Sequence, residues 1–460
     1  MISMFTSLTK SRSPQRTLRR KLNARPRLEG LEDRALMATL AAVSPDGVQI
    51  TSAPVLFNGD LYFSAKDSTH GIELWKSDGA TGAMSMVADI APGLRNSSPT
   101  ELTVCGSKLY FNAFTSDSGA ELWSTDGTAA GTQQVKDVYA GARGSNPTQL
   151  TAMNGILYFS ATDASTGTEL YRSDGTAAGT YMVKDVYPGA YSSGISRLTA
   201  IGSSLYFGAN DGVNGVELWA SDGTAAGTRM VKDVNPGVRP SAPGNFTSFG
   251  SQVYFTAIDI DHGYELWTTD GTEAGTYMVA DIAPGAASSM PADLTVMGSS
   301  LYFAANDGVS GLELWRFDGA NVSMVADVRP GGDGSSPQNL TVAGDTLFFT
   351  ANDGTHGVEL WRSDGTSAGT NMVTDIYPGA IGSMPQNLYA VGNQVYFSAA
   401  APGLGYELWS SDGTAAGTTM YGDLSAGGGS SRPRYMIMME GALTFVADGT
   451  QKPNGLFRLT

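Results

Sequence analysis

Seven tryptophans occur in the 460-residue chain, and every one sits in the tripeptide Glu-Leu-Trp. They fall at Trp75, Trp123, Trp219, Trp267, Trp315, Trp361 and Trp409, with Tyr171 taking the one missing place in the series. Successive intervals are 48, 48, 48, 48, 48, 46 and 48 residues. A fixed period of this length restricts the chain to a repeat architecture, in which each unit buries its apolar face on the next. It also explains how 460 residues can avoid splitting into the two or three separate domains that length alone suggests.

One unit shows what is being repeated. Asn339–Gly344 is a short apolar run closed by a turn, and Thr346–Ala351 is rich in β-formers. Asn352–Gly357 reads as a loop, and Val358–Arg362 as a third strand. Ser363–Thr370 reads as a hairpin connection, and Met372–Ile376 as a fourth strand stopped by Pro378-Gly379. The 58 glycines recur at these turn positions. Four short strands per unit, with no helical periodicity, predict a propeller blade. A β-solenoid is the runner-up, although its coils are usually shorter and lack two tight hairpins per unit.

The leftover ends set the blade count. Eight full units run from about Ser52 to Gly429. Beyond them, Tyr435–Met439, Ala442–Ala447 and Gly455–Leu459 read as three strands lacking a fourth. Thr39–Pro45 aligns with the fourth-strand segment Met86–Pro92. The expected fold is therefore an all-β β-propeller of four-stranded blades over residues 37–460, with nine blades and an N-/C-terminal clasp. Eight blades with packed-on tails are the alternative, since rings of about four to eight blades are the common range.

The repeated acidic positions are the Glu of Glu-Leu-Trp (Glu73 to Glu407), the hairpin Asp (Asp78 to Asp412) and the fourth-strand Asp (Asp89 to Asp423). Identity in every blade points to architecture. Asp before Gly is turn chemistry, while the Glu and the fourth-strand Asp are expected on backbone N–H groups or on hydroxyls such as Thr370. The competing reading makes these residues calcium ligands. No segment has the calcium-loop spacing, Asp259-Ile260-Asp261 being the nearest approach. No cofactor is expected, and calcium is the one metal the acidic positions keep open.

Catalysis needs groups converging on one point, and the sequence offers little of that kind. His70, His262 and His356 share one register in three separate blades and read as loop-tip residues. The Ser-Asp-Gly-Thr hairpin resembles the Asp-box of sialidases in residue type but not in spacing, and no arginine triad can be identified. A hydrolase or lyase with its site in the central channel remains the enzyme alternative, and an ionisable channel lining would favour it.

Recognition is expected instead on varied loops held by a rigid frame. In a four-stranded blade the second-to-third and fourth-to-first connections share a face. The candidate partner-binding residues there are Arg95, Arg143, Tyr191 and Arg239 with Asp211, Asp307 and Asp353, joined by Asp67, Asp163, Asp259, Arg432 and Arg434. A protein or glycan is the expected partner.

Charge narrows the partners further. Residues 1–36 carry nine Lys/Arg and three Asp/Glu, a net +6. With −16 for the whole chain, the remainder holds −22. A body this acidic repels phosphate backbones and anionic lipid, which argues against nucleic acid and membrane-surface partners. No run approaches the ~18 apolar residues of a membrane helix, so no membrane insertion is expected. The lone Cys105 excludes an internal disulfide.

Two resemblances add to this reading. Glu359–Thr370, Glu-Leu-Trp-Arg-Ser-Asp-Gly-Thr-Ser-Ala-Gly-Thr, resembles the ELWxxDGT repeat family, and the likeness covers about residues 39–460. Departures are Tyr171 for Trp, Phe317 for Ser, and Ala80 and Ala320 where Thr usually follows Gly. That family implies propeller-type repeats in large bacterial exported proteins, with no established activity and no catalytic residues to transfer. Within the basic, aromatic-poor residues 1–36, and running on to Ala38, the string Arg27–Ala38 resembles the LEPR-like leader of planctomycete-type exported proteins. The residues alone read as a disordered tail, since a secretory core of about 7–15 apolar residues is missing; the resemblance implies an export-associated leader. Together these readings predict a non-catalytic, extracellular or cell-surface binding or structural module, with a calcium-stabilised adhesion module as a further alternative.

Overall fold

The computed structural model describes residues 40–450 and 452–460, so the basic segment 1–36 lies outside the described residues. Among the described residues, the chain forms strands, turns and bends without a helix. These strands assemble into nine antiparallel sheets that form the blades of a nine-bladed propeller. First strands of successive blades lie side by side around the ring and line its centre. Each sheet then runs outward through its second, third and fourth strands.

The fourth blade, built from Ser196–Ile201, Ser204–Asn210, Val216–Ser221 and Arg229–Lys232, shows why the repeat folds this way. Alternate side chains of a strand point to opposite faces. Leu205, Phe207, Ala209 and Trp219 therefore pack on Tyr158, Leu170 and Val183 of the blade before. Tyr206, Leu218 and Val231 pack on Val253, Phe255, Ala257 and Trp267 of the blade after. Registers Phe207↔Trp219 and Trp219↔Met230 set the large side chains next to each other on one face. The same division of faces recurs at the other junctions. Tryptophan is thus blade-to-blade packing, as its periodicity implied. Replacing Trp219 (6% exposed) with Ala should cost about 3–5 kcal/mol, read as a lower denaturation midpoint with blade content retained in far-UV dichroism. An unchanged midpoint would contradict that role.

The single 46-residue interval has a local cause. In the sixth blade Phe317-Asp318-Gly319-Ala320-Asn321-Val322 closes the third-to-fourth hairpin directly, with Asp318 N bonded to Asn321 O. In the second to fifth, seventh and eighth blades this hairpin carries two extra residues and a fixed network. Asp222 Oδ1 accepts from the N–H and hydroxyl of Thr224, whose Oγ1 accepts from Gly227 N, while the Thr228 hydroxyl sits on Thr224 O.

The ring closes through its ends. Leu40–Ala42 pairs with Lys452–Leu459 as the outermost strand of the ninth blade, in register Leu40↔Leu459, Ala41↔Arg458 and Ala42↔Phe457. Ser44, only 2% exposed, accepts from Leu456 N and from Lys452 Nζ. Val43 then joins Leu61, Phe63 and Trp75 of the first blade and Val446 and Leu456 of the ninth in one apolar cluster. This decides between the two blade counts.

Candidate binding face

The loops of one face are anchored by the Glu of Glu-Leu-Trp. All eight of these side chains are fully buried. Glu73 accepts from the N–H groups of Ile90, Ala91 and Ser97 and from the Ser97 hydroxyl at 2.6 Å. The equivalent pairs Glu121–Ser145, Glu265–Ser289, Glu313–Ser335, Glu359–Ser383 and Glu407–Ser431 are alike. The carboxylate therefore staples the fourth-to-first connection to the third strand. This corrects one expectation: Thr370 bonds to Ser363 Oγ and Thr366 O within its hairpin, so serine supplies the hydroxyl. The signal was present in the sequence, because a Ser follows each Glu by 24 residues, or 22 in the shortened sixth blade. Burial raises these carboxyls above the usual range, to about 7 for Glu169 and Glu217.

The second-to-third loops fold around their Asp. Asp211 Oδ1 accepts from Val213 N and Asn214 N, and Oδ2 from the Asn214 amide. Asp307 repeats the pattern with Ser310 and Asp353 with His356, the latter at 2.7 Å. Asp67, despite the opposing effect of burial, is held down to about 2 by bonds from Thr69 and His70. The three histidines each pair with the Asp of their own loop. Both oxygens of these aspartates are thus engaged in shaping loops. Among the described residues no three His, Cys, Asp or Glu side chains converge as a metal-binding group.

Glycine presses the two loop sets together, as sharing a face requires. At Gly167 (φ +70°) a Cβ would lie 2.3 Å from Tyr191 O, and at Gly215 2.9 Å from Val238 O. The predicted residues sit accordingly. Arg95, Arg143 and Arg239 are exposed on the fourth-to-first loops. Arg143 lies over the Tyr139 ring and donates to its hydroxyl, and Tyr191 stacks on Tyr187 with centroids 4.9 Å apart. Arg434, expected in a loop, opens the first strand of the ninth blade instead. The fold spreads these residues around the face, although Arg432 and Arg434 line one groove together, Arg434 donating to Arg432 O.

Apart from Tyr191, residue reading missed the apolar content of the same loops. Leu94, Tyr191, Val213, Val238, Ile260, Met290, Val309 and Ile381 are all more than half exposed, and all project from this face. Val213 and Val309 follow an Asp-Gly pair and Leu94 and Val238 a Pro-Gly pair, so fixed loop register was the available clue.

The channel mouth opens on this face too. Its first strands carry a ring of left-handed residues: Glu101, Gln149, Arg197, Asn245, Asp293, Asn339, Asn387 and Tyr435, with φ from +55° to +60°. Several stitch one blade to the next. Glu101 accepts from Leu150 N, Gln149 from Leu198 N and Asp293 from Asn339 N, while Asn387 donates to Pro433 O. The lining is neither uniformly apolar nor a convergent ionisable cluster: Arg197 stands two blades from Glu101 on one side and two from Asp293 on the other, and Glu101 and Asp293 are four blades apart.

No known protein family matches the sequence, and no curated protein does. Among solved structures, the chain is similar to the computationally designed Ika8 protein at 15% identity and a TM-score of 0.41, covering 82% of this chain and 96% of that one. It is similar to a prolyl endopeptidase at 12% identity and a TM-score of 0.44, covering 82% of this chain and 50% of the other. The β-propeller domain of the Trilobed protease from Pyrococcus furiosus is similar at 11% identity and a TM-score of 0.36, covering 72% and 99%.

Proposed function

We propose that the chain is a non-catalytic binding module of exported, ELWxxDGT-type repeat proteins, working outside the cell or at its surface. Its second-to-third and fourth-to-first loops dock a protein or glycan partner. One observation carries the reading: eight large apolar side chains, each more than half exposed, project from a single face. Exposed apolar surface of this kind, rimmed by polar residues such as Arg95, Arg143 and Arg239, is typical of interaction sites. The frame beneath is rigid, because buried Glu–Ser staples hold the fourth-to-first loops of the first eight blades. The test replaces Leu94, Val213, Val238, Val309 and Ile381 together with Ser, and compares retention on cell-envelope fractions and a glycan array. Retention should fall by about tenfold or more, while Tyr277→Ser on the outer fourth strand leaves it unchanged. Equal retention by the loop variant would refute the reading.

A further inference from the structure

The junction of the first and second blades differs chemically from those of the other Glu-Leu-Trp/Tyr blades. Elsewhere a methionine of the fourth strand faces the aromatic of Glu-Leu-Trp/Tyr, as in Trp75↔Met86, Tyr171↔Met182 and Trp219↔Met230. In the second blade that partner is Gln134, opposite Trp123. The neighbouring loop changes with it. Thr115 replaces the loop-forming Asp, and the residue before it is Phe114, 46% exposed. Between this loop and the first blade's fourth-to-first loop lies a groove of about 640 Å³, with Arg95, Phe114, Asp117, Trp123, Gln134 and Asp137 among its lining.

The polar groups are arranged for a ligand with both donors and acceptors. Ser118 Oγ, itself bonded to Thr115 Oγ1, donates to Gln134 Oε1 at 3.0 Å. That bond fixes the amide plane and leaves the Gln134 NH₂ without a partner among the described residues. Arg95 likewise makes no hydrogen bond or ion pair among them. Asp117 and Asp137, exposed, supply acceptors. Phe114 and Trp123, which is less covered than Trp75 or Trp219, supply aromatic surface.

We infer that this groove binds a neutral oligosaccharide, a subsite that rests on the reading of the loop face as a binding face. A sugar ring offers hydroxyls that both donate and accept, together with a patch of C–H groups that lies against an aromatic face. An apolar ligand would bury Arg95, Gln134 and Asp137 without partners. A uronate or phosphate would meet the carboxylates of Asp117 and Asp137, which outnumber the one guanidinium. The volume lies within the range of about 300–1,000 Å³ that small-ligand sites occupy.

The full chain is titrated calorimetrically with cellotriose, mannotriose, xylotriose, maltotriose, chitotriose and, as the anionic probe, trigalacturonate. At least one neutral trisaccharide should bind. Phe114→Ala and Gln134→Met, the latter restoring the residue of the other blades, should each weaken it about tenfold. Their melting temperatures should stay within roughly 2 °C of the parent, and Tyr277→Ser should bind as the parent does. Binding that survives both groove variants, tighter binding of trigalacturonate, or no binding by any neutral probe overturns the site. If the fivefold loop variant loses envelope retention while no trisaccharide binds, the saccharide subsite falls and the binding face stands. If a trisaccharide binds in the groove while envelope retention survives the loop variant, the reverse holds.

Discussion

A chain beginning at Pro45 should melt on the order of 5–10 °C below one beginning at Thr39, and hydrogen exchange in Ala442–Leu459 should rise with the loss. The two differ by Thr39–Ser44 alone, so any contribution of the basic leader cancels. Loss of Leu40–Ala42 leaves Lys452–Leu459 as an unpaired outer edge. Loss of Val43 and Ser44 strips an apolar side chain from the junction with the first blade and a buried hydroxyl from Leu456 N. The damage is therefore confined at first to one sector, and exchange in the fourth and fifth blades stays slow. Equal melting of the two chains would show that the clasp is decorative and that the ring is held by inter-blade packing alone. A synthetic peptide spanning Thr39–Asp46, added in excess to the shortened chain, should restore part of the lost stability by mass action.

How much of this was legible in the sequence depends on whether a residue's role is periodic. The blade, the clasp and the packing role of tryptophan followed from period alone, because strand alternation turns a 48-residue repeat directly into two packed faces. The nine-blade count followed from aligning Thr39–Pro45 with a fourth strand, a local comparison that required no coordinates. The Glu partner was read only halfway. Backbone N–H donors were expected, but the Ser 24 residues on lies in a loop far along the chain until the fold brings it back beneath the third strand. The two loop sets share one face as expected, yet the emphasis in reading it fell on Arg and Asp. Burial of the aspartate oxygens in their own turns is a tertiary fact, and so is exposure of Val213 or Ile381, whose residue types alone suggest a core. The left-handed ring at the channel mouth was invisible for a similar reason. Arg197 and Tyr435 are not residues that announce positive φ, and the bulge that imposes it comes from pairing between first and second strands.

The melting temperature should be highest near pH 4–5 and fall by roughly 10 °C toward pH 8, the reverse of the usual acid sensitivity. Three sets of groups fix the direction. The buried Glu carboxyls lie above their ordinary value because burial outweighs the N–H donors around them, reaching about 7 at Glu169 and Glu217. Their contribution is complete below the unfolded value near 4.5 and is lost as pH rises through the folded one. His70, His262 and His356 are raised by hydrogen bonds to their loop Asp and act in the same sense. The hairpin aspartates, lowered by their Thr partners, contribute above about 3.8 and set the acid limit. Geometry explains why Glu169 and Glu217 stand out. Each accepts from only two backbone N–H groups, Val186 and Ser193 for Glu169 and Val234 and Ser241 for Glu217, and the nearby Asp185 and Asp233 carboxylates add to the rise that burial produces. Unfolding at pH 6 should accordingly release protons, seen as a calorimetric enthalpy that varies with the ionisation heat of the buffer. Glu169→Gln with Glu217→Gln should flatten the decline between pH 5 and 8 while keeping the fold. Glu217→Ala should cost about 3 kcal/mol or more at every pH in that range, because Val234 N and Ser241 N lose their buried acceptor. A melting temperature that climbs steadily from pH 5 to 8 would mean that the N–H donors prevail over burial and that these glutamates are ionised throughout.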